Sequence, residues 1–82
     1  MTVRVLFFSL FRDTVGQEEV SVALEEAGAS VSSLLSSLFG TYPDLRSWDE
    51  KMLIAVNCEY ADRDQILSEG DEVALMPPVQ GG

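Results

Sequence analysis

Along the first residues of the chain, hydrophobic side chains fall on alternate positions. Val3, Val5 and Phe7 share one face of an extended segment, while Arg4, Leu6 and Phe8 share the other. Arg4 marks one end of that second face as wet, so Phe8 is expected as an exposed aromatic. The stretch "FRDTVGQE" reads as a turn around Gly16. Alternation resumes in "EVSVAL", with Val20, Val22 and Leu24 on one side, which supplies a hairpin partner for the first strand.

From Ser30 the period changes. Val31, Leu34, Leu35, Leu38 and Phe39 form one stripe of an amphipathic helix, with Ser30 as its N-cap and Gly40 as its C-terminal stop. Serines at 32, 33, 36 and 37 are poor helix formers, so packing of the stripe has to hold the helix. "TYPDLRSWDEK" is a connector with a short helical turn over Leu45 and Trp48, where Trp48 covers the edge of the core. "MLIAVN" is apolar enough for the interior of a sheet. A short strand near Tyr60 follows, then a loop anchored by Ile66 and Leu67, a turn at Gly70-Asp71, and a last strand from Glu72 to Met76 that Pro77 and Pro78 terminate.

The order β-β-α-β-β-β, with one short strand, predicts an α+β chain with a mixed sheet of about five strands wrapped on one main helix. That is the β-grasp, or ubiquitin-like, arrangement. The expected core holds Val5, Phe7, Val22, Leu34, Leu35, Leu38, Ile54, Val56, Val73 and Leu75. Residues 1–76 form the domain and 77–82 an extended tail. The helix covers one face of the sheet and leaves the other for water or a partner.

Composition narrows the chemistry. Eighty-two residues make one domain. A formal charge of −9 repels phosphate backbones, which argues against nucleic acid and suits a basic partner. No apolar run is long enough to span a membrane. The single cysteine, Cys58, excludes an internal disulfide and fits a reducing, cytoplasmic location. The chain has no histidine, so neither a catalytic triad nor a structural zinc site can be assembled, and Cys58 has no base to activate it. The acidic pairs at 18–19 and 25–26 and the "DRD" at 62–64 fit a solvated surface better than a metal loop, and no metal site is assigned.

"LMPPVQGG" remains. Pro77 and Pro78 hold the backbone extended and off the sheet, and six residues at about 3.3 Å each reach roughly 20 Å. Gly81 and Gly82 can thread a channel too narrow for any Cβ and carry a carboxylate deep into another protein. The tail, with Val79 between its prolines and glycines, is expected to be inserted.

Taken together, "VRVLFFSLFRDTVG", "AVN" at 55–57 and "LSEGDEVALMPPVQGG" resemble the small, sulfur-carrying subunits of molybdopterin synthase, the MoaD-type sulfur carriers. The resemblance spans almost the whole chain. It implies a non-catalytic, sulfur-donating subunit of molybdenum cofactor biosynthesis. Gly82 would be adenylated by a ubiquitin-activator-like enzyme that consumes ATP, then converted to a thiocarboxylate by a sulfur donor. The tail would deliver that sulfur to a cyclic pyranopterin precursor inside the large synthase subunit, in a heterotetramer of two small and two large subunits. No resident cofactor is implied. Family-like partner contacts map onto Phe8, Tyr60 and Met76. The rival readings are a sulfur carrier for thiamine thiazole synthesis and a ubiquitin-like protein modifier.

Overall fold

The alternation at the amino terminus becomes strand β1, Thr2–Phe7, with Val3, Val5 and Phe7 buried. Strand β2, Glu19–Ala23, pairs with it antiparallel, Val5 opposite Val20. Helix α2, Val31–Thr41, lays Val31, Leu34, Leu35, Leu38 and Phe39 on the core as the stripe predicts. Ser30 caps it, its hydroxyl accepting from the Ser33 N–H at 3.3 Å. A 3-10 helix over Pro43–Trp48 follows, then β3, Leu53–Val56, β4, Glu59–Tyr60, and β5, Glu72–Met76. In this computed structural model residues 1–26 and 28–78 are described. The strand order is β2-β1-β5-β3-β4, and β1 and β5 run parallel at its centre while the other pairs are antiparallel. The result is the β-grasp arrangement that the order of elements predicts.

Four local expectations are corrected. Residues around "FRDTVG" are not a plain turn: Leu10–Val15 form a six-residue helix, α1. Its reason is tertiary. Phe11 is fully buried and stacks edge-on against Trp48 at 5.7 Å, and a helix this short shows no period for a sequence to reveal. Gly16 is its C-cap, at φ 83°, with its N–H donating to the Arg12 carbonyl at 2.8 Å. At the other helix, Gly40 lies inside α2 and does not end it. Tyr42, held extended at φ −125° because Pro43 follows, is the C-cap.

Ile66 is not an anchor: it is 56% exposed, and Leu67 beside it is the buried member of the pair at 2%. The Leu67 N–H bonds the Ala29 carbonyl at 2.8 Å, which fixes which of the two side chains points inward. Val22 is only half-buried, because β2 is the edge strand of the sheet. The other nine expected core positions are buried, and Trp48 covers the core edge as expected.

Leu35 is 2% exposed within this core. Leu35→Ala is expected to cost about 2–5 kcal/mol of stability. Urea denaturation of the variant checks this, and a midpoint overlapping that of the parent would count against the packing described.

Candidate functional site

The face of the sheet away from α2 carries the second half of each alternation. Register brings these half-sets together: Arg4 lies opposite Glu72, Leu6 opposite Ala74, Ala74 opposite Ala55, Met76 opposite Leu53, and Ala55 opposite Tyr60. The face is polarised. At one end the Arg4 guanidinium donates to Glu72 Oε2 at 2.8 Å and lies 3.7 Å from Glu19. At the other, Phe8 is 43% exposed and Met76 is half-buried, while Tyr60, level with Ala55, is 77% exposed at mid-sheet. Between them Ala55 and Ala74 are too short to fill the surface, leaving a groove of about 300 Å³ also lined by Leu6 and Cys58. Contiguous apolar surface of this kind makes the face the candidate binding surface of the domain.

Two backbone devices aim these side chains. Beyond β1, the Phe8 N–H donates to the Leu75 carbonyl at 3.2 Å, tying the aromatic to the last turn of β5. Ser9 then takes φ 52°, a conformation that disfavours any side chain, and swings the chain into α1. Hydrogen bonds from Arg12 and Asp13 to the Ser9 carbonyl, at 3.1 and 3.3 Å, hold it there.

On the opposite flank, Asn57 and Cys58 form a two-residue hairpin loop between β3 and β4, at φ 50° and 71°. Positive φ at both central positions matches the right-handed twist of the strands, and Asn tolerates it better than most residues. Asn57 does more than turn the chain. Its Nδ2 donates to Asp71 at 2.9 Å, its Oδ1 accepts from the Glu72 N–H at 3.0 Å, and its own N–H donates to the Glu72 carbonyl at 2.8 Å. Asp71 in turn accepts from the Ser68 N–H at 2.7 Å. The hairpin bearing Cys58 and Tyr60 is thereby pinned to the start of β5. This pin joins "AVN" to "GDE", segments whose proximity the sequence does not reveal.

Of the site residues expected from sequence, Phe8, Tyr60 and Met76 share one face of the sheet; Phe8 and Met76 stand at one end of it, and Tyr60, level with Ala55 and Ala74, stands midway. Pro77 and Pro78 are half-buried and follow directly from β5 at that same end. Val79, Gly81 and Gly82 lie outside the described residues. Sequence reasoning missed Leu6, Ala55, Cys58 and Ala74 as groove lining, although parity with Phe8 or Met76 already placed Leu6 and Ala74 on the correct face. It also missed Asn57, whose signal was an asparagine at the tip of a short hairpin.

Comparison with known proteins returns a consistent set. The chain matches the ThiS family over residues 5–82. It is similar to the molybdopterin synthase sulfur carrier subunit of Mycobacterium tuberculosis, at 39% identity over 98% of this chain and 96% of that one. Among solved structures, it resembles SAMP1 from Haloferax volcanii, a small archaeal modifier protein, with a TM-score of 0.88 at 29% identity and full coverage of both chains. It also resembles a chain in the complex of subunits 1 and 2 of the molybdopterin-converting factor from Helicobacter pylori, with a TM-score of 0.71 at 26% identity and full coverage of both.

Removing the Asn57 side chain takes away its hydrogen bonds to Asp71 and to the Glu72 N–H, and alanine at this position sits at φ 50° without them. Asn57→Ala is expected to lose about 1–3 kcal/mol, and Asn57→Gly less, because glycine relieves the backbone term. Chemical denaturation of the two variants side by side checks this; equal losses would show that the conformational part is absent.

Proposed function

The chain belongs to the ThiS family, and we propose that within it the protein serves as the sulfur-carrier subunit of a molybdopterin synthase. The observation that carries this reading is the coincidence of two features at one end of the sheet. Exposed Phe8 and half-buried Met76 stand where β5 gives way to Pro77 and Pro78, and the apolar groove continues from them along the same face to Tyr60. A partner that grips this patch receives the tail at the same time. The identity to carrier subunits of molybdopterin synthase over nearly the whole chain supports it.

In this reading residues 1–76 are the grip and residues 77–82 the delivery arm. The chemistry is confined to the carboxylate of Gly82. A carboxylate is a poor electrophile until it carries a good leaving group. An adenylating enzyme supplies one: the carboxylate attacks the α-phosphate of ATP, pyrophosphate departs, and an acyl-adenylate forms. A sulfur donor then displaces AMP to leave a thiocarboxylate. Inside the large synthase subunit, that sulfur passes to a cyclic pyranopterin precursor. Acids and bases for those steps come from the large subunit, which suits a chain without histidine. Two small and two large subunits make the working assembly, and the reducing cytoplasm keeps Cys58 and the thiocarboxylate intact.

A second reading has an observation of its own, the likeness to an archaeal modifier protein. A modifier would end in amide bonds to lysines of other proteins. Intact mass of the protein from its native cells separates the two: exchange of one oxygen for sulfur supports the carrier, and recovery only as lysine conjugates supports the modifier.

Two variants test the carrier mechanism. Phe8→Asp places a charge in the patch, so the isolated domain folds while its affinity for the large subunit falls by 2 kcal/mol or more, on the order of thirtyfold. Unchanged affinity in calorimetry would remove Phe8 from the interface. A residue added after Gly82, or a bulky residue in place of Gly81, displaces the carboxylate or blocks the channel. Both variants are expected to melt as the parent does and to give no pyrophosphate exchange with ATP and the adenylating enzyme; normal exchange by the extended chain would rule the mechanism out.

A further inference from the structure

Strand β2 closes one side of the sheet, and its outer backbone is open. The Leu24 N–H donates to the Met1 carbonyl at 2.7 Å, the Met1 amino group donates back to the Leu24 carbonyl at 3.0 Å, and the Phe7 N–H donates to the Glu18 carbonyl at 2.9 Å. Bonded pairs alternate along an antiparallel ladder. Val20 and Val22 therefore bond inward to β1, and the N–H and C=O groups of Glu19, Ser21 and Ala23 face outward. Among the described residues those outward groups have no hydrogen-bond partner. Proteins usually blunt such an edge with a proline, a bulge or an inward-pointing charge. β2 has no proline, its register against β1 is unbroken from Glu19 to Ala23, and its core-side residues are Val20 and Val22, both half-buried against the core. Acidic pairs bracket the edge, Glu18 and Glu19 at its start and Glu25 and Glu26 just past its end. The first pair is engaged only weakly, 3.7 Å from Arg12 and Arg4, and the second has no ion pair among the described residues. Glu25 and Glu26 also line a depression of about 510 Å³ between the end of β2 and Ser33 and Ser37 of α2.

We propose that β2 is a docking edge for an extended, basic segment of another protein, which adds to the sheet as a further strand. Backbone hydrogen bonds to Glu19, Ser21 and Ala23 satisfy the outward groups, and aliphatic side chains opposite Val20 and Val22 extend the cover of those valines. Lysine or arginine at each end of the segment meets the carboxylates at each end of β2, which selects a basic partner over a neutral or acidic one. The same charges disfavour a second copy. Antiparallel pairing of two β2 strands about Ser21 brings the 18–19 pair of each copy towards the 25–26 pair of the other. No residue of β2 lines the groove on the open face, so a partner on this edge and one on that face can be held at once. The edge is open whether or not the protein carries sulfur.

The experiment titrates the full, isotope-labelled chain with two capped peptides of alternating valine and threonine, one flanked at both ends by lysines and the other by glutamates. Amide chemical shifts and hydrogen exchange are followed for each residue. At millimolar concentration the lysine peptide is expected to shift the Glu19, Ser21 and Ala23 amides and to slow their exchange by about tenfold, an effect that salt weakens. The glutamate peptide leaves them unchanged. Ser21→Pro removes an outward N–H without touching the ladder to β1, so it should melt near the parent and lose the response. Glu25→Gln combined with Glu26→Gln leaves the backbone alone and should weaken the lysine peptide roughly fivefold. Unmoved β2 amides, an equal response to the glutamate peptide, an undiminished response in the double glutamine variant, or shifts confined to the face that bears Phe8 and Met76 overturn the proposal. So do shifts of the β2 amides on raising protein concentration without peptide, which would make a second copy the occupant.

Discussion

The parallel pairing of β1 with β5, running from Arg4 opposite Glu72 to Phe7 opposite Leu75, joins the two ends of the chain at the centre of the sheet. Nearly everything else between them, two helices, a 3-10 helix and three strands, is the connection that a parallel pair requires. Closing so long a loop costs conformational entropy before any contact offsets it. What offsets it is burial of Val5, Phe7, Val73 and Leu75 against α2, all but inaccessible to water. The same register sets Phe8 one step past the last pair on β1 and Met76 one step past it on β5. A slip of one residue would reverse every side chain and send the apolar patch into the core.

The open face divides into a charged end and an apolar end. Arg4, Glu19 and Glu72 form exposed ion pairs of small energetic value. They keep that end of the face wet, so the apolar surface is confined to the remainder. Each end of the face is held by backbone that is not in its easiest conformation, the apolar end at Ser9 and the charged end at Asn57-Cys58. Positive φ at non-glycine positions persists only where surroundings over-determine it, and each of these is held by several hydrogen bonds.

In the proposed reading the domain performs no chemistry with its own side chains, and its contribution is the surface that a partner grips. Excess negative charge fits that task, since it discourages self-association and favours encounter with basic partners.

Sequence by itself determined the strands, the main helix and their cap, because alternation, the 3.6-residue stripe, Ser30 and the double proline are local signals. The bounds of β5, Glu72 to Met76, follow from Gly70-Asp71 before it and Pro77 after it. It also supplied Phe8, Tyr60 and Met76 as candidate contacts and the Gly81-Gly82 tip as the candidate reactive end. Tertiary structure alone decided the rest. Helix α1 exists because Phe11 has Trp48 to pack on, Leu67 turns inward in preference to Ile66 because its backbone is tied to Ala29, and Asn57 becomes a pin because β3 and β5 are neighbours. Pairing between strands far apart in sequence is a global minimum of burial and hydrogen bonding, and no window of the chain contains both partners. That is why the patch on the uncovered face was legible from alternation and resemblance, while the pin between Asn57 and the start of β5 was not.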